Sequence, residues 1–316
     1  MVLRVGLVGV GAMGTNHARI IHENSRAELS MVFDLNERAA ENAARQWGTK
    51  AAPTVDALSE CDAVVIASST AAHHQLGTKF AREGKALLIE KPLCSTLDET
   101  RQLLSLCDAN DAALCCGFVE RFNPAVATAL KLIDGPVRHL MTYRHSPYNP
   151  RASSSVVTDL LIHDLDLTTR LAPSGVPDHV GAALWSPSAD GYVETADCTL
   201  QFGGQMTAMQ SASRWGQRKI RDIRISTDAL LLELDLIRVT VTAYRHRSQS
   251  SETQGDPVSY RSETMIEIPF VRHAGEPLAL QFEHFVNLAT DNADRSSERR
   301  TIEAPHVLAD LVSSSG

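Results

Sequence analysis

Three short stretches concentrate the residues able to do chemistry: GVGAMG at 9–14, EKP at 90–92 and DLLIHDLDL at 159–167. A glycine turn of the G-x-G-x-x-G type can wrap a pyrophosphate and set it on the amides of a following helix. The ammonium of Lys91 can hydrogen-bond a reacting oxygen and stabilise alkoxide character as it develops. Asp159 and His163 are spaced i and i+4, so on a helix they share one face. The carboxylate can then orient the imidazole or raise its basicity. His163 taking a hydroxyl proton while a hydride leaves for a nicotinamide turns a secondary alcohol into a ketone, or the reverse.

Each group also has a plainer use. A lysine at a strand end is commonly a solvated charge, and Asp159 can cap a helix N-terminus after the polar SSS at 153–155. Asp164 and Asp166 lie on other helix faces and read as structural; Arg170 stands at i+4 from Asp166. A metal site needs three or four convergent ligands, and HDLD spreads its groups over diverging faces, so no metal is expected.

The glycine turn is the best-supported signal, because strand, turn, helix and acid agree. Gly9 permits the tight turn, Gly11 lets the backbone approach a pyrophosphate, and Gly14 lets the helix pack on the sheet. Ala12 and Met13 open that helix beside the phosphates. Asp34 ends the second strand, 20 residues after Gly14, and is placed to bind the adenosine ribose hydroxyls. Its charge repels a 2′-phosphate and favours NAD over NADP, although Arg38 one turn later offsets this in part. Ser68, Ser69 and Thr70 follow the third long strand and are expected to line the dinucleotide. His73 and His74 are adjacent, so at most one faces the cleft; a surface or helix-start role is the plainer reading for either. His73, Glu90 and Lys91 complete the expected cofactor contacts.

These residues need a frame. Up to about residue 118 short β-branched runs alternate with helical stretches, which predicts βαβ units around a doubly wound parallel sheet. After Phe118 the texture changes to strands: YVETADCTLQF, Gly203-Gly204 and QMTAMQSASRW read as a hairpin with a two-residue turn. RSQSSETQGDPVSYRSE, at 247–263, reads as an exposed polar connection. The fold class is therefore α/β: a Rossmann domain at 1–120, then an α+β domain at 121–316 with an open, mostly antiparallel sheet.

A net charge of -8 argues against nucleic acid or anionic membrane as the main partner. No apolar run reaches membrane-spanning length, and MVLRVGLVGVG reads as a buried strand rather than a signal peptide. Six cysteines without a C-x-x-C pair fit reduced, buried thiols and a cytoplasmic location.

GVGAMG, EKP and the D-x-x-x-H of DLLIH together resemble the glucose–fructose oxidoreductase / inositol dehydrogenase / MocA (Gfo/Idh/MocA) family, over nearly the whole chain. The resemblance implies the same two-domain order, with Lys91, Asp159 and His163 at the family's catalytic positions. GFVERFNPAV and VVTDLLIHDLDL look like the branch that includes UDP-N-acetylglucosamine 3-dehydrogenases. The implied partner is a small sugar or nucleotide sugar. Arg121 and Asn123, at the domain junction, are expected near the nicotinamide ribose or the substrate, a hinge ion pair being the rival role. Arg144, Tyr148 and Arg151 are candidates for a diphosphate. The sheet face around 206–215 is expected to form a homodimer or homotetramer contact. An NADPH-dependent keto-sugar or imine reductase and a non-catalytic nucleotide sensor are the alternatives within this fold.

Overall fold

The computed structural model describes residues 2–150, 152, 154–173, 176–187, 191–251, 259–290 and 294–316. The chain divides into two units, Met1–Phe122 with Gly275–Asp310 and Asn123–Ala274 with Leu311–Gly316.

The first unit alternates β1 (Leu3–Val8), α1 (Ala12–Glu23), β2 (Ala27–Phe33), α2 (Glu37–Trp47), β3 (Lys50–Ala51), β4 (Ala63–Ile66), α3 (Thr70–Arg82), β5 (Ala86–Ile89), α4 (Leu97–Ala109) and β6 (Leu114–Cys116). All strand pairings in it are parallel, in the order β3-β2-β1-β4-β5-β6. Strands β4, β5 and β6 are buried at every residue, as apolar runs covered on both faces must be. The chain order reverses between β1 and β4, and at such a switch point a crevice opens beyond the carboxyl ends of the strands.

The second unit holds α5 (Pro124–Leu132), β7 (His139–His145), α6 (Ile162–Leu171), β8 (His179–Trp185), β9 (Thr195–Phe202), β10 (Met206–Ser213), β11 (Ile220–Ser226), β12 (Leu231–Asp235), β13 (Thr240–Ser251) and β14 (Ser259–Glu267). Its eight strands run in the order β14-β13-β12-β11-β7-β10-β9-β8, and only β7 and β10 pair in parallel. In the β9–β10 hairpin Gly203 and Gly204 take the positive φ that the turn demands, at 54° and 63°. Phe202 pairs with Met206, so three residues lie between the strands rather than two. The polar stretch at 247–263 is corrected as well: it belongs largely to the paired strands β13 and β14. Alternation without strong hydrophobicity hid them.

The C-terminal helices correct the expected 120/121 division. Helix α7 (Pro277–Thr290) turns Leu278, Phe282, Phe285, Val286 and Leu288 into the core that β1, β2, β4 and α1 build. Residues 275–310, including most of α8 (Arg295–Ser314), therefore belong to the nucleotide-binding unit. Apolar spacing announced α7 as an amphipathic helix but not which sheet its stripe would cover. None of the helices among the described residues is long and apolar enough to cross a membrane.

Candidate active site

Strands β1, β4 and β5 are in register at their carboxyl ends, Val8 against Ile66 and Ile66 against Ile89. The loops that follow them therefore leave one edge of the sheet side by side. They are the glycine turn, Ser68–Thr70, and Glu90 with Lys91.

The glycine turn fits a dinucleotide. Gly9 has φ 88°, and a Cβ there would lie 2.6 Å from the Ala67 carbonyl oxygen. A Cβ on Gly14 would lie 1.9 Å from the oxygen of Gly9, so no side chain can stand there. Gly11 faces open space, with nothing within 4 Å of where a Cβ would stand, and α1 begins at the next residue. Ala12 and Met13 are exposed at that helix start. This is the arrangement in which unpaired first-turn amides receive a phosphate. Asp34 braces the turn: its Oδ2 accepts from the Val10 amide at 2.9 Å and its Oδ1 from the Asn36 amide at 2.8 Å. Ser69 is exposed before α3, with Ser68 and Thr70 half-buried on either side.

Two residues expected to contact the cofactor are also structural posts. His73 is not at the surface but buried, with Nδ1 3.0 Å from the Pro92 carbonyl oxygen and Nε2 3.2 Å from that of Ser68. Glu90 is buried too; its Oε1 lies 2.8 Å from His17 Nε2 and its Oε2 accepts from the Lys91 amide at 3.2 Å. Gly117 makes room for that carboxylate, since a Cβ there would come within 2.6 Å of Oε2. Burial by itself raises the Glu90 carboxyl, but the His17 hydrogen bond, the charges of His17 and Lys91 and the Lys91 amide together hold it below the ordinary carboxylate range. Lys91, half-buried, is the second residue after β5 and is joined to Pro92 by a cis peptide bond.

In the second unit the DLLIH segment does not start as an α-helix. Val157–Leu161 is a π-helical turn that continues into α6, so the i,i+4 argument for Asp159 and His163 applies to a wider turn. Asp159 is not the cap; Ser155 Oγ accepts from the Val157 amide instead. The Asp159 Oδ2 accepts from Arg214 Nη2 at 2.8 Å. Arg214, only 2% exposed, also donates through Nη1 to the Ser154 carbonyl at 2.9 Å and faces the Glu194 carboxylate at 3.4 Å. His163 is half-buried, whereas its neighbours Leu161, Ile162, Asp164 and Leu165 are all buried.

Three residues expected near the substrate have internal partners. Arg144 is 3% exposed and makes a two-pronged pair with Asp164, Nε to Oδ2 and Nη2 to Oδ1, each 2.9 Å. Arg121 donates to Glu298, to the Thr301 hydroxyl and to the Thr301 carbonyl, and lies over the Phe118 ring. Asn123 caps α5 through its Oδ1 and donates to the Leu236 carbonyl. Burial drew all three toward partners distant in sequence. Tyr148 stays 55% exposed, its ring 5.5 Å from that of Trp215. Arg151 lies outside the described residues.

Among the described residues no group of three or more His, Cys, Asp or Glu side chains is arranged to hold a metal ion. Burial pushes the thiols of Cys94, Cys107 and Cys198 up to about 12, which removes them as nucleophiles near neutrality. Sequence reasoning passed over His17, His306, Arg214 and Glu194. His17 had one usable signal: it stands three residues after Gly14, on the buried stripe of α1.

The profile of the family described as "Oxidoreductase family, NAD-binding Rossmann fold" matches residues 3–118. Over 250 residues the chain is 35% identical to UDP-N-acetylglucosamine 3-dehydrogenase of Acidithiobacillus ferrooxidans, covering 78% of this chain and 77% of that one. It is 33% identical over 178 residues to inositol 2-dehydrogenase of Rhizobium meliloti, covering 53% and 54%. A solved structure of UDP-N-acetylglucosamine 3-dehydrogenase GnnA from A. ferrooxidans superposes with a TM-score of 0.83 at 26% identity, covering 100% of this chain and 98% of that one.

Proposed function

The chain belongs to the Gfo/Idh/MocA family of NAD-binding oxidoreductases, and from that premise we propose that it oxidises a secondary ring hydroxyl of a sugar or nucleotide sugar, with UDP-N-acetylglucosamine as the first substrate to test. Bound NAD supplies the hydride acceptor. The turn at Gly9, Gly11 and Gly14 holds its pyrophosphate, and Asp34 takes the ribose hydroxyls. Lys91 polarises the substrate oxygen, His163 takes the hydroxyl proton, and Asp159 supports the imidazole.

The observation that carries this reading is the shared edge of the first sheet. It sets a lysine two strands from a turn that only glycine can form. The likeness to a UDP-N-acetylglucosamine 3-dehydrogenase supports the substrate class. Homo-oligomerisation belongs to the same reading, through the sheet face where Met141 and Met209 pair side by side at 38% and 45% exposure with Tyr143 beside them. So does a cytoplasmic location, supported by six buried cysteine thiols.

A screen of NAD reduction across UDP-sugars, free sugars and inositols, with product analysis, tests the substrate. Lys91→Ala and His163→Ala are expected to bind NADH normally and to lose turnover by roughly 10²-fold or more. Wild-type turnover in either variant dismisses its assigned role. Asp34→Ala weakens both cofactors by freeing the Val10 amide, so the readout is the ratio. Discrimination against NADPH should shrink; an unchanged ratio assigns the ribose to another group.

A further inference from the structure

The four residues Glu90–Leu93 are gripped by three buried histidines from three different helices. His17 on α1 bonds the Glu90 carboxylate at 2.8 Å, and that carboxylate accepts the backbone amide of Lys91 at 3.2 Å. His73 on α3 bonds the Pro92 carbonyl through Nδ1 at 3.0 Å. His306 on α8 accepts the Leu93 amide on Nε2 at 2.9 Å, while its own Nδ1–H donates to the Ile302 carbonyl at 2.8 Å. The second bond fixes the tautomer of His306: Nδ1 carries the proton, leaving Nε2 as the acceptor. All three rings are 6% exposed or less, and each bond to the loop spans at least 19 residues of sequence.

We propose that His17, His73 and His306 form a clamp that sets the backbone of Lys91 and so aims its ammonium. They are positioning residues, acting through the lysine, and the proposal rests on the reading that Lys91 serves in catalysis. A lysine stem has four rotatable carbons, so a fixed ammonium needs a fixed root. Each imidazole meets a different point of the root: the group before Lys91, the carbonyl after it, and the amide beyond that. The clamp also reaches the cofactor side. His73 Nε2 lies 3.2 Å from the carbonyl of Ser68, in the loop next to the glycine turn, so one ring stands between the lysine loop and that loop. Gly117 is part of the device, since any side chain there displaces Glu90. Plain core packing accounts for buried histidines, but not for three rings converging on one four-residue loop.

The test measures NADH affinity, and kcat and KM for NAD reduction with UDP-N-acetylglucosamine as probe, in the full-length protein. If the screen selects another sugar, that sugar is the probe. His17→Leu, His73→Leu and His306→Leu keep bulk and remove the bonds. Each is expected to lower kcat about tenfold while KM and NADH affinity stay within about twofold. His17→Gln retains a donor for Glu90 and is expected to recover most of the rate. In a Lys91→Ala background the leucine changes should cost nothing further, because groups that act as a unit are not additive. Where a leucine variant does not fold, the alanine variant at that position enters the same double-mutant comparison, with the same expectation. Wild-type kcat in the folded leucine or alanine variants, or losses that multiply with that of Lys91→Ala, overturns the clamp and leaves the catalytic reading intact. Wild-type turnover by Lys91→Ala overturns the reading and the clamp with it.

Discussion

Residues 90–93 and residues 159–164 carry the candidate chemistry, and they are anchored by opposite means. The lysine loop is held at its backbone, by the imidazoles of His73 and His306 and by the Glu90 carboxylate that His17 bonds. The helix segment is held at its side chains, by guanidinium–carboxylate pairs: Arg214 on Asp159, Arg144 on Asp164. The difference teaches what each anchor can resist. A backbone amide that donates to a buried ring nitrogen, as Leu93 does to His306, fixes direction but loses its acceptor when that nitrogen takes a proton. Buried ion pairs hold position but leave a charge stranded when one partner goes.

The largest break in this contrast is expected at Arg144. Arg144→Met removes the two-pronged partner of the Asp164 carboxylate, 1% exposed, and should destabilise the second unit by roughly 3–5 kcal/mol in urea unfolding. Adding Asp164→Leu should recover much of the loss, because an apolar pair of similar volume replaces a buried ion pair at small cost. A single variant as stable as wild type would show that Asp164 has other sufficient support.

Next is pH. Burial, with the charge of Arg121 adding to it, pushes His306 down from the ordinary 6.5 to about 4, against raising contributions from the Ile302 carbonyl and Glu303. The unfolded chain therefore binds a proton that the folded chain refuses between those values. The stabilisation is full above about pH 6.5 and is lost as pH falls toward 4, up to roughly 3 kcal/mol for the whole shift. His306→Gln should flatten the pH dependence of unfolding in that window. A slope identical to wild type would assign it to other groups.

The smallest expected effect sharpens the other arm. Arg214→Lys keeps the charge but loses the planar fork that reaches Asp159, Glu194 and the Ser154 carbonyl together. We expect kcat to fall about tenfold with stability little changed. A rate equal to wild type would show that Asp159 needs only a nearby cation, not a shaped one.

Much of the first unit was legible because its signals are local. Gly9 is demanded by φ and by close approach, Gly14 by close approach, and Gly11 leaves the start of α1 open, while Asp34 follows β2 and bonds that turn. Alternating apolar runs gave the parallel sheet, and D-x-x-x-H with EKP gave the family. The partners of Arg121, Asn123 and Arg144 were not legible, because polar residues in a loop or on a strand do not announce buried partners 20 to 180 residues away. His73 looked like a surface residue for the same reason. The π-helical turn at Val157–Leu161 carries no composition that separates it from an ordinary helix start.

The sequence alone determined the nucleotide turn, the two classes of sheet and the residue types from which a hydride-transfer site can be made, because each follows from backbone sterics or from short periodicities. Only the tertiary structure decided which charges are spent on holding the fold, that α7 and most of α8 return to the first unit, and that three distant histidines meet on one loop. Those outcomes depend on which buried polar groups find partners, and long-range pairing leaves no trace in spacing.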